Sequence, residues 1–453
     1  DEMTDYTIEN NPMGYEDELK ILVKMSLPAM FSMFIQSMYN IVDSYFVAQL
    51  GEKALRAITL SYPIQLMLIA FCVGTGVGVN SYMSRKLGAK QREEAGNAAL
   101  HGYIIMTITW FVFILFRFFF MNSFYEIFTD DPEVISMGRD YLGVVTLYGI
   151  FLFQQVISEK IIQATGEMRI PMISHLISAV INIFLDPVLI HGYFFFPEMG
   201  VKGAAVATVF SQFVGFMFVV PYTIKHREEI GISIRGFRPK WSLIKDIYIV
   251  GIPSILMNSI AAILTMALNR IIINLSEVGV TVFGIYTKLQ SFVFMPIFGM
   301  GQGFMPLTGY NYGAKNKDRI KNFYKYAIII GLGISIIGVL IFQFLPSQLL
   351  SIFGNDPQII ELGVPALRII STSFVFAGIS IVNATYFQGI GIGSYSLIIS
   401  AMRQLVILLP LAKIFSKYGL VYVWLAFPIS EFIALLLSHY YYKKVEKNLI
   451  ENL

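Results

Sequence analysis

Long stretches of this chain contain no charged residue, and this feature restricts the folds that are open to it. Such stretches run over residues 57–84, 95–116, 141–158, 203–222 and 326–355. A helix needs about 20 apolar residues to cross the hydrocarbon core of a bilayer, which is roughly 30 Å thick. Charged residues make up 14 % of the chain, against roughly 25 % in soluble proteins. The sequence therefore predicts an all-α polytopic membrane protein.

Seven further windows with one charged residue each complete the set of predicted spans. They cover residues 26–51, 170–197, 247–276, 278–314, 362–388, 389–412 and 418–442. The total is twelve transmembrane helices. Loops that follow even-numbered helices, together with the C-terminus, hold 20 Lys and Arg residues, whereas loops after odd-numbered helices hold 8. Because cytoplasmic loops carry the excess of basic residues, both termini are predicted to be cytoplasmic.

The second half of the chain repeats the first at a constant offset of 225 residues. Pro28 matches Pro253, and Gln65 matches Gln290. The same offset relates Gly74, Gly76 and Gly78 to Gly299, Gly301 and Gly303, Gly88-Ala89-Lys90 to Gly313-Ala314-Lys315, and Asp131-Pro132 to Asp356-Pro357. Each half has six helices, so both halves enter and leave the membrane on the same side, related by an axis along the membrane normal. The prediction is two six-helix pseudo-symmetric lobes, with the glycines serving close helix packing.

The chain accordingly divides into five segments. These are a cytoplasmic N-terminal tail (1–18), an N-lobe with helices 1–6 (19–224), a cytoplasmic linker (225–242), a C-lobe with helices 7–12 (243–442) and a cytoplasmic C-terminal tail (443–453). The Ile-, Lys- and Asn-rich composition is typical of an AT-rich prokaryotic genome. We expect a multi-pass protein in the lipid bilayer of the plasma (inner) membrane, and we expect it to be monomeric. A net charge of +3, scattered along the chain, indicates no nucleic-acid partner.

Acidic side chains inside predicted helices of the N-lobe mark a candidate ion site, because an ionised group in mid-membrane costs at least about 2.5–3.5 kcal/mol. Gln36, Tyr39 and Asp43 follow helical spacing along one face of helix 1, and Asn182 and Asp186 repeat that spacing in helix 5. Desolvation and mutual repulsion favour the protonated form of two such carboxyl groups. The pattern therefore predicts a reversible proton site. The amide and hydroxyl oxygens nearby could alternatively coordinate Na⁺.

Each of these positions also has a purely structural interpretation. Asp43 could be a hydrated carboxylate near the outer end of helix 1, Asp186 could bend helix 5 together with Pro187, and Tyr39 could belong to the interfacial aromatic belt. Pro28, at the cytoplasmic end of helix 1, removes a backbone hydrogen bond and predicts either a static kink or a hinge.

The C-lobe does not copy these acids. The position that matches Asp43 is Leu268, and the charges predicted within the C-lobe helices are instead Lys288, Arg403 and Glu431. An ion pair between Arg403 and Glu431 would lock helices 11 and 12. Lys288 is either structural or faces a substrate.

Five motifs together suggest a family. They are VDSYFVAQLG at 42–51, LGAK at 87–90, QATG at 163–166, LDP at 185–187 and GVxGAA at 200–205. This combination resembles the multidrug and toxic compound extrusion (MATE) transporters, more closely the DinF-type branch, over nearly the whole chain. The resemblance implies an antiporter that exports organic, often cationic, compounds against an inward H⁺ or Na⁺ gradient.

The resemblance also implies roles for single residues. In the DinF-type branch the first-lobe acids carry ion coupling, and the proline of helix 1 has been implicated in bending. The matching first-lobe positions here are Pro28, Gln36, Tyr39, Asp43, Asn182 and Asp186, and, by a looser match, Thr208. The NorM-type branch has second-lobe acids in helices 7 and 10, whereas helix 10 of this chain offers Asn383. This departure argues against a second-lobe Na⁺ site.

We therefore expect a secondary active antiporter for multidrug and xenobiotic efflux, and not an enzyme. Its substrates would be small organic molecules, cationic and amphipathic, and H⁺ would enter through Asp43 and Asp186. We expect no cofactor besides the coupling ion and assign no metal. The first alternative is Na⁺ coupling through Asp43, Asn182, Asp186 and Thr208.

Two further alternatives concern the class of activity. A lipid-linked oligosaccharide flippase would favour a basic cleft, to which Lys288 and Arg403 would contribute. An intramembrane enzyme would need a catalytic motif, and no paired-His metal motif, Ser-Lys dyad or G-x-S-x-G lies on these helices.

Overall fold

The computed structural model describes residues 11–453, and within these residues it is built of helices without strands. Ten helices are long and apolar enough to cross a membrane, and two pairs of shorter helices, bent by 43° and 49°, pass the same test together. With each bent pair counted as one span, the described part of the chain has twelve spans, which confirms the predicted architecture.

We label the spans α1 to α12 in chain order. They are α1 Glu18–Ala48, α2 Glu52–Gly88, α3 Arg92–Phe119, α4 Pro132–Leu147 with Ile150–Ala164, α5 Arg169–His191, α6 Gly200–Lys225, α7 Trp241–Ile273, α8 Glu277–Gly313, α9 Lys317–Phe344, α10 Pro357–Ser371 with Phe374–Ile390, α11 Gly393–Tyr418 and α12 Leu420–Ile450. Short helices at Pro12–Tyr15, Met121–Phe128, Arg227–Ile230 and Pro346–Ser351 lie outside these spans.

Contacts within the chain define two compact units. One is built on Phe31–Gly251, and the other contains Met13–Met30 together with Ile252–Leu453. Two helices therefore contribute to both units: α1 changes unit two residues after Pro28, and α7 changes unit two residues before Pro253. The units follow packing, whereas the lobes 19–224 and 243–442 follow the repeat in the sequence.

The sequence repeat reappears as repeated structural detail. Asp131 directly precedes α4, and its side chain accepts a hydrogen bond from the Glu133 N–H at 3.0 Å. Asp356 directly precedes α10 and accepts a hydrogen bond from the Gln358 N–H at 2.9 Å. These are N-caps, followed in both helices by a proline whose missing N–H costs nothing there. The bond from Glu133 also holds the pKa of Asp131 below its ordinary value. Both helices bend at equivalent places, after residues 147 and 371.

The unit that contains α8, α10 and α12 has an aromatic core. Phe283 of α8 stacks on Trp424 of α12 with ring centroids 6.1 Å apart, and Phe342 of α9 meets Phe374 of α10 edge-on at 4.9 Å. All four rings are almost fully buried. Large rings packed in this way fix the spacing of the helices around them.

Two glycines at equivalent positions allow close approach of helices. A Cβ on Gly78 of α2 would collide with the carbonyl oxygen of Ile247 in α7, within the first unit. A Cβ on Gly303 of α8 would lie 3.0 Å from the backbone nitrogen of Ser26 in α1, within the second. The glycine run predicted to serve helix packing therefore does so at these two positions.

We predict that Gly78→Ala lowers the melting temperature of the detergent-solubilised protein, because overpacking a close contact costs about 1–3 kcal/mol. Gly284→Ala is the control, since no atom lies within 4 Å of the position its Cβ would take. Fluorescence-detected size-exclusion thermostability measures both. Equal melting temperatures for the two variants would contradict the close approach of α2 and α7.

Candidate functional site

The two acids predicted for the N-lobe lie together in the unit built on Phe31–Gly251. The carboxyl group of Asp43 on α1 is within hydrogen-bond reach of that of Asp186 on α5. Asp186 is fully buried, and among the described residues no N–H or O–H donor other than this carboxyl partner reaches its oxygens. An ionised carboxylate only accepts hydrogen bonds, so the two groups can bond to each other only when one carries a proton.

Polar side chains from three helices surround this pair. The Nδ2 atom of Asn182 lies 3.5 Å from Tyr39 Oη of α1, 3.3 Å from Thr208 Oγ1 of α6 and 3.4 Å from Ser211 Oγ of α6. Asn182 is buried, and its Oδ1 has no donor among the residues that the structure describes. Buried acceptors without donors are costly. The arrangement therefore suits an added proton or a small cation.

Hydroxyl and amide groups of α4 and α2 lie near the aspartate pair and interact with one another. Tyr141 of α4 interacts electrostatically with both aspartates. Its Oη lies 3.5 Å from Gln65 Oε1, and Gln65 Nε2 donates to Ser61 Oγ at 2.7 Å. Polar groups near the acid pair therefore come from two further helices of the same unit, α2 and α4.

The structure brings most of the predicted N-lobe residues to one place. Tyr39, Asp43, Asn182, Asp186 and Thr208 meet as described above, whereas two others do not contribute to the cluster in the same way. Gln36 is exposed. Pro28 precedes Asp43 by 15 residues, or about 22 Å along a helix, and belongs to the other unit.

Sequence reasoning missed Tyr141 and Ser211 as members of this cluster. A tyrosine in a membrane protein most often marks the interface, so Tyr141 carried no signal of its own. Gln65 did carry a signal in the sequence, because the repeat places Gln290 at the matching position of the second half.

The three charged residues predicted within the C-lobe helices, Lys288, Arg403 and Glu431, each lie near another side chain of the second unit. Arg403 Nε lies 3.2 Å from Glu431 Oε1, with both side chains about nine-tenths buried, as predicted for helices 11 and 12. Arg403 lies in the π-helical turn Met402–Val406 of α11. Lys288 is exposed, and its ammonium lies 5.8 Å from the ring centroid of Phe353.

Comparison with known proteins agrees with this geometry. The MatE family model matches residues 28–188 and 253–414, the two halves of the repeat. The chain belongs to the MatE family. Curated relatives of the chain are transporters, so the chain is a membrane transporter by family.

Three MatE relatives illustrate the range of the family. The multidrug export protein MepA of Staphylococcus aureus (strain MSSA476) is 27 % identical over 431 residues, which cover 94 % of this chain and 92 % of MepA. An FAD transporter of Shewanella oneidensis is 26 % identical over 448 residues and covers 94 % of both chains. A crystal structure of MATE in complex with MaL6 superposes with a TM-score of 0.91 at 28 % identity, covering 97 % of this chain and 99 % of that one.

We predict that Glu431→Leu destabilises this MatE protein, because it leaves the Arg403 guanidinium buried without its partner, a loss of about 3–5 kcal/mol. The double variant Arg403→Met with Glu431→Leu removes both charges and should recover most of the lost melting temperature. Lys413→Met, at an exposed position of α11, is the control. A single variant as stable as the wild type would show that the ion pair does not hold α11 and α12 together.

Proposed function

We propose that this MatE protein is a secondary active antiporter that exports organic cations in exchange for protons, with Asp43 and Asp186 as the coupling site. One observation carries the proposal: the half-buried carboxyl group of Asp43 lies within hydrogen-bond reach of the fully buried one of Asp186, and only a proton lets them bond. The protein would lie in the plasma (inner) membrane of a prokaryote with both termini in the cytoplasm, as the distribution of basic residues indicates.

The coupling follows from the charge of this pair. When the pair has lost its proton, a net negative charge favours an organic cation bound from the cytoplasm. A proton that arrives from outside and is shared by the two carboxyl groups lowers the negative charge of the pair by one, which weakens that attraction and releases the substrate outward. Only a difference in affinity between the two facing states can drive net transport.

Helix α1 offers a route from protonation to a change of shape. It carries Asp43 in one unit and Pro28 in the other, and it passes from unit to unit just after that proline. Pro28 interrupts the hydrogen bonding of the helix. We propose that Pro28 is the hinge at which α1 rearranges when Asp43 is protonated.

Sodium coupling is the alternative for the same cluster. The two oxygens of Asp186 and Oδ1 of Asn182 are buried acceptors without N–H or hydroxyl donors among the described residues. Hard cations prefer oxygen ligands of this kind, and Thr208 would supply a further one. Proton coupling remains our proposal because a single shared proton is enough to allow a hydrogen bond between the two carboxyl groups.

The substrate class is proposed from charge and from the relatives. A site with carboxylates and aromatic neighbours attracts amphipathic cations, and the relative MepA is a multidrug export protein. The FAD transporter supports a second candidate, an anionic dinucleotide. A flippase for lipid-linked oligosaccharides has less support, since Arg403 is neutralised by Glu431.

We predict that an imposed pH gradient drives ethidium efflux from proteoliposomes and that Asp43→Asn abolishes this drive, because an amide cannot take up the proton. Asp140→Asn, the same substitution at an exposed position of α4 in the same unit, should leave it unchanged. Flux driven only by a Na⁺ gradient would favour the alternative cation. Flux of FAD but not of ethidium would favour the anionic substrate, and undiminished flux in Asp43→Asn would refute the coupling site.

We also predict that ethidium binds more tightly as the pH rises, because the cation competes with a proton for the same carboxyl pair. The gain is at most about tenfold per pH unit for one displaced proton. Fluorescence polarisation in detergent measures the affinity, and Asp186→Asn should flatten its dependence on pH. An affinity that is independent of pH in the wild type would contradict direct competition.

A further inference from the structure

A second buried carboxyl group lies in the same unit, away from the aspartate pair. Glu159 on α4 has 4 % of its side chain exposed, and its Oε2 lies 3.0 Å from Nε2 of His175 on α5. The side chain of His175 is 38 % exposed while that of its partner is buried, and His175 lies near the Arg169 end of α5. Histidine changes charge between about pH 5 and 8. The pair therefore combines a buried anion with an accessible proton acceptor.

Hydrogen bonds fix the orientation of the buried carboxyl group. Gln155 lies one turn before Glu159 on α4, and its Nε2 is 3.3 Å from Glu159 Oε1. The same Nε2 lies 3.0 Å from Ser174 Oγ and 3.1 Å from Ser178 Oγ of α5. Gln155 and Glu159 thus repeat the spacing of an amide before a carboxylate that Asn182 and Asp186 show on α5.

One face of α5 joins this pair to the aspartates. His175, Ser178, Asn182 and Asp186 follow steps of three, four and four residues, so they form a polar stripe on that helix. Ser178 Oγ donates to the Ser211 carbonyl oxygen at 3.0 Å, and Ser211 Oγ lies 3.4 Å from Asn182 Nδ2. His175 and Asp186 are 11 residues apart, about 16 Å along the helix. The stripe therefore covers about half of the 23 residues of α5, in the middle of the helix.

Lys160, next to Glu159 on α4, adds a positive charge beside this pair. It acts electrostatically on both Glu159 and His175, while its ammonium donates to Gln163 Oε1 at 3.2 Å. Tyr103 of the neighbouring α3 is engaged with Ser158 instead. Glu159 is therefore the group that hydrogen-bonds His175, and Lys160 adds a positive charge beside it.

We propose that Glu159 and His175 form a second proton-binding site, through which protons taken up by the aspartate pair leave on the other side of the membrane. His175 Nε2 takes up the proton, donates it in a hydrogen bond to Glu159 Oε2 and then loses it to water at its exposed edge. Gln155, Ser178 and Asn182 position the groups between the two sites. The inference rests on the proposed proton coupling, in which the Arg169 end of α5 faces the cytoplasm.

The test is ethidium efflux from proteoliposomes at constant ΔpH while the pH on the cytoplasmic side is varied between about 5 and 8. In the wild type we expect the rate to fall as this pH drops, because a protonated His175 cannot take the next proton. His175→Gln should abolish this inflection. Glu159→Gln should move it to lower pH, because a protonated His175 then lacks its anionic partner.

His191→Gln is the matched control. His191 ends the same helix and hydrogen-bonds Gln49 at 2.9 Å, outside the polar stripe, so this variant should keep the wild-type inflection. Ethidium binding in detergent checks that each variant is folded. If His175→Gln is not folded, the shift of the pH inflection in Glu159→Gln tests the second site instead. Wild-type inflections in both His175→Gln and Glu159→Gln would overturn the second site alone. Ethidium efflux by the wild-type protein that does not depend on ΔpH would overturn the proton-coupled function, and the second site with it.

Discussion

The cost of burying a carboxylate is the constraint on which the proposed function of this protein depends. Asp186 is fully buried, and its oxygens have no donor other than the carboxyl group of Asp43 among the described residues. In a low-dielectric surrounding an ionised pair would be strongly unfavourable, which is why we propose that the pair binds a proton. A site with this property is chemically suited to couple the movement of a proton to that of a charged substrate.

The repeat organises the backbone, whereas the chemistry of the two units differs. Both units share the capped start of the bent span, the bend itself and a glycine against a neighbouring helix. The position that carries Asp43 in the first unit is Leu268 in the second. The second unit instead buries the Arg403–Glu431 ion pair, in which the two opposite charges compensate each other. A pair of opposite charges needs no further cation, whereas two acids side by side have no counter-charge of their own.

Helices α1 and α7 link the two units, because each belongs partly to one and partly to the other. The change of unit lies within two residues of Pro28 in α1 and of Pro253 in α7. A proline in a helix weakens its continuity at that point. Protonation of Asp43 therefore acts on a helix whose other half packs within the second unit, which is the physical basis for the hinge that we propose.

The sequence by itself determined the number of spans, the repeat and the acids Asp43 and Asp186, because membrane thickness and the cost of buried charge leave long, readable patterns. It also identified Arg403 and Glu431 as partners. Only the tertiary structure decided which side chains meet: it added Tyr141 and Ser211 to the acid pair and joined Glu159 to His175. Glu159 follows a charge-free window and His175 carries no fixed charge, so neither stood out along the chain. Contacts between helices depend on how each helix is rotated about its axis, and the packing of neighbouring helices sets that rotation.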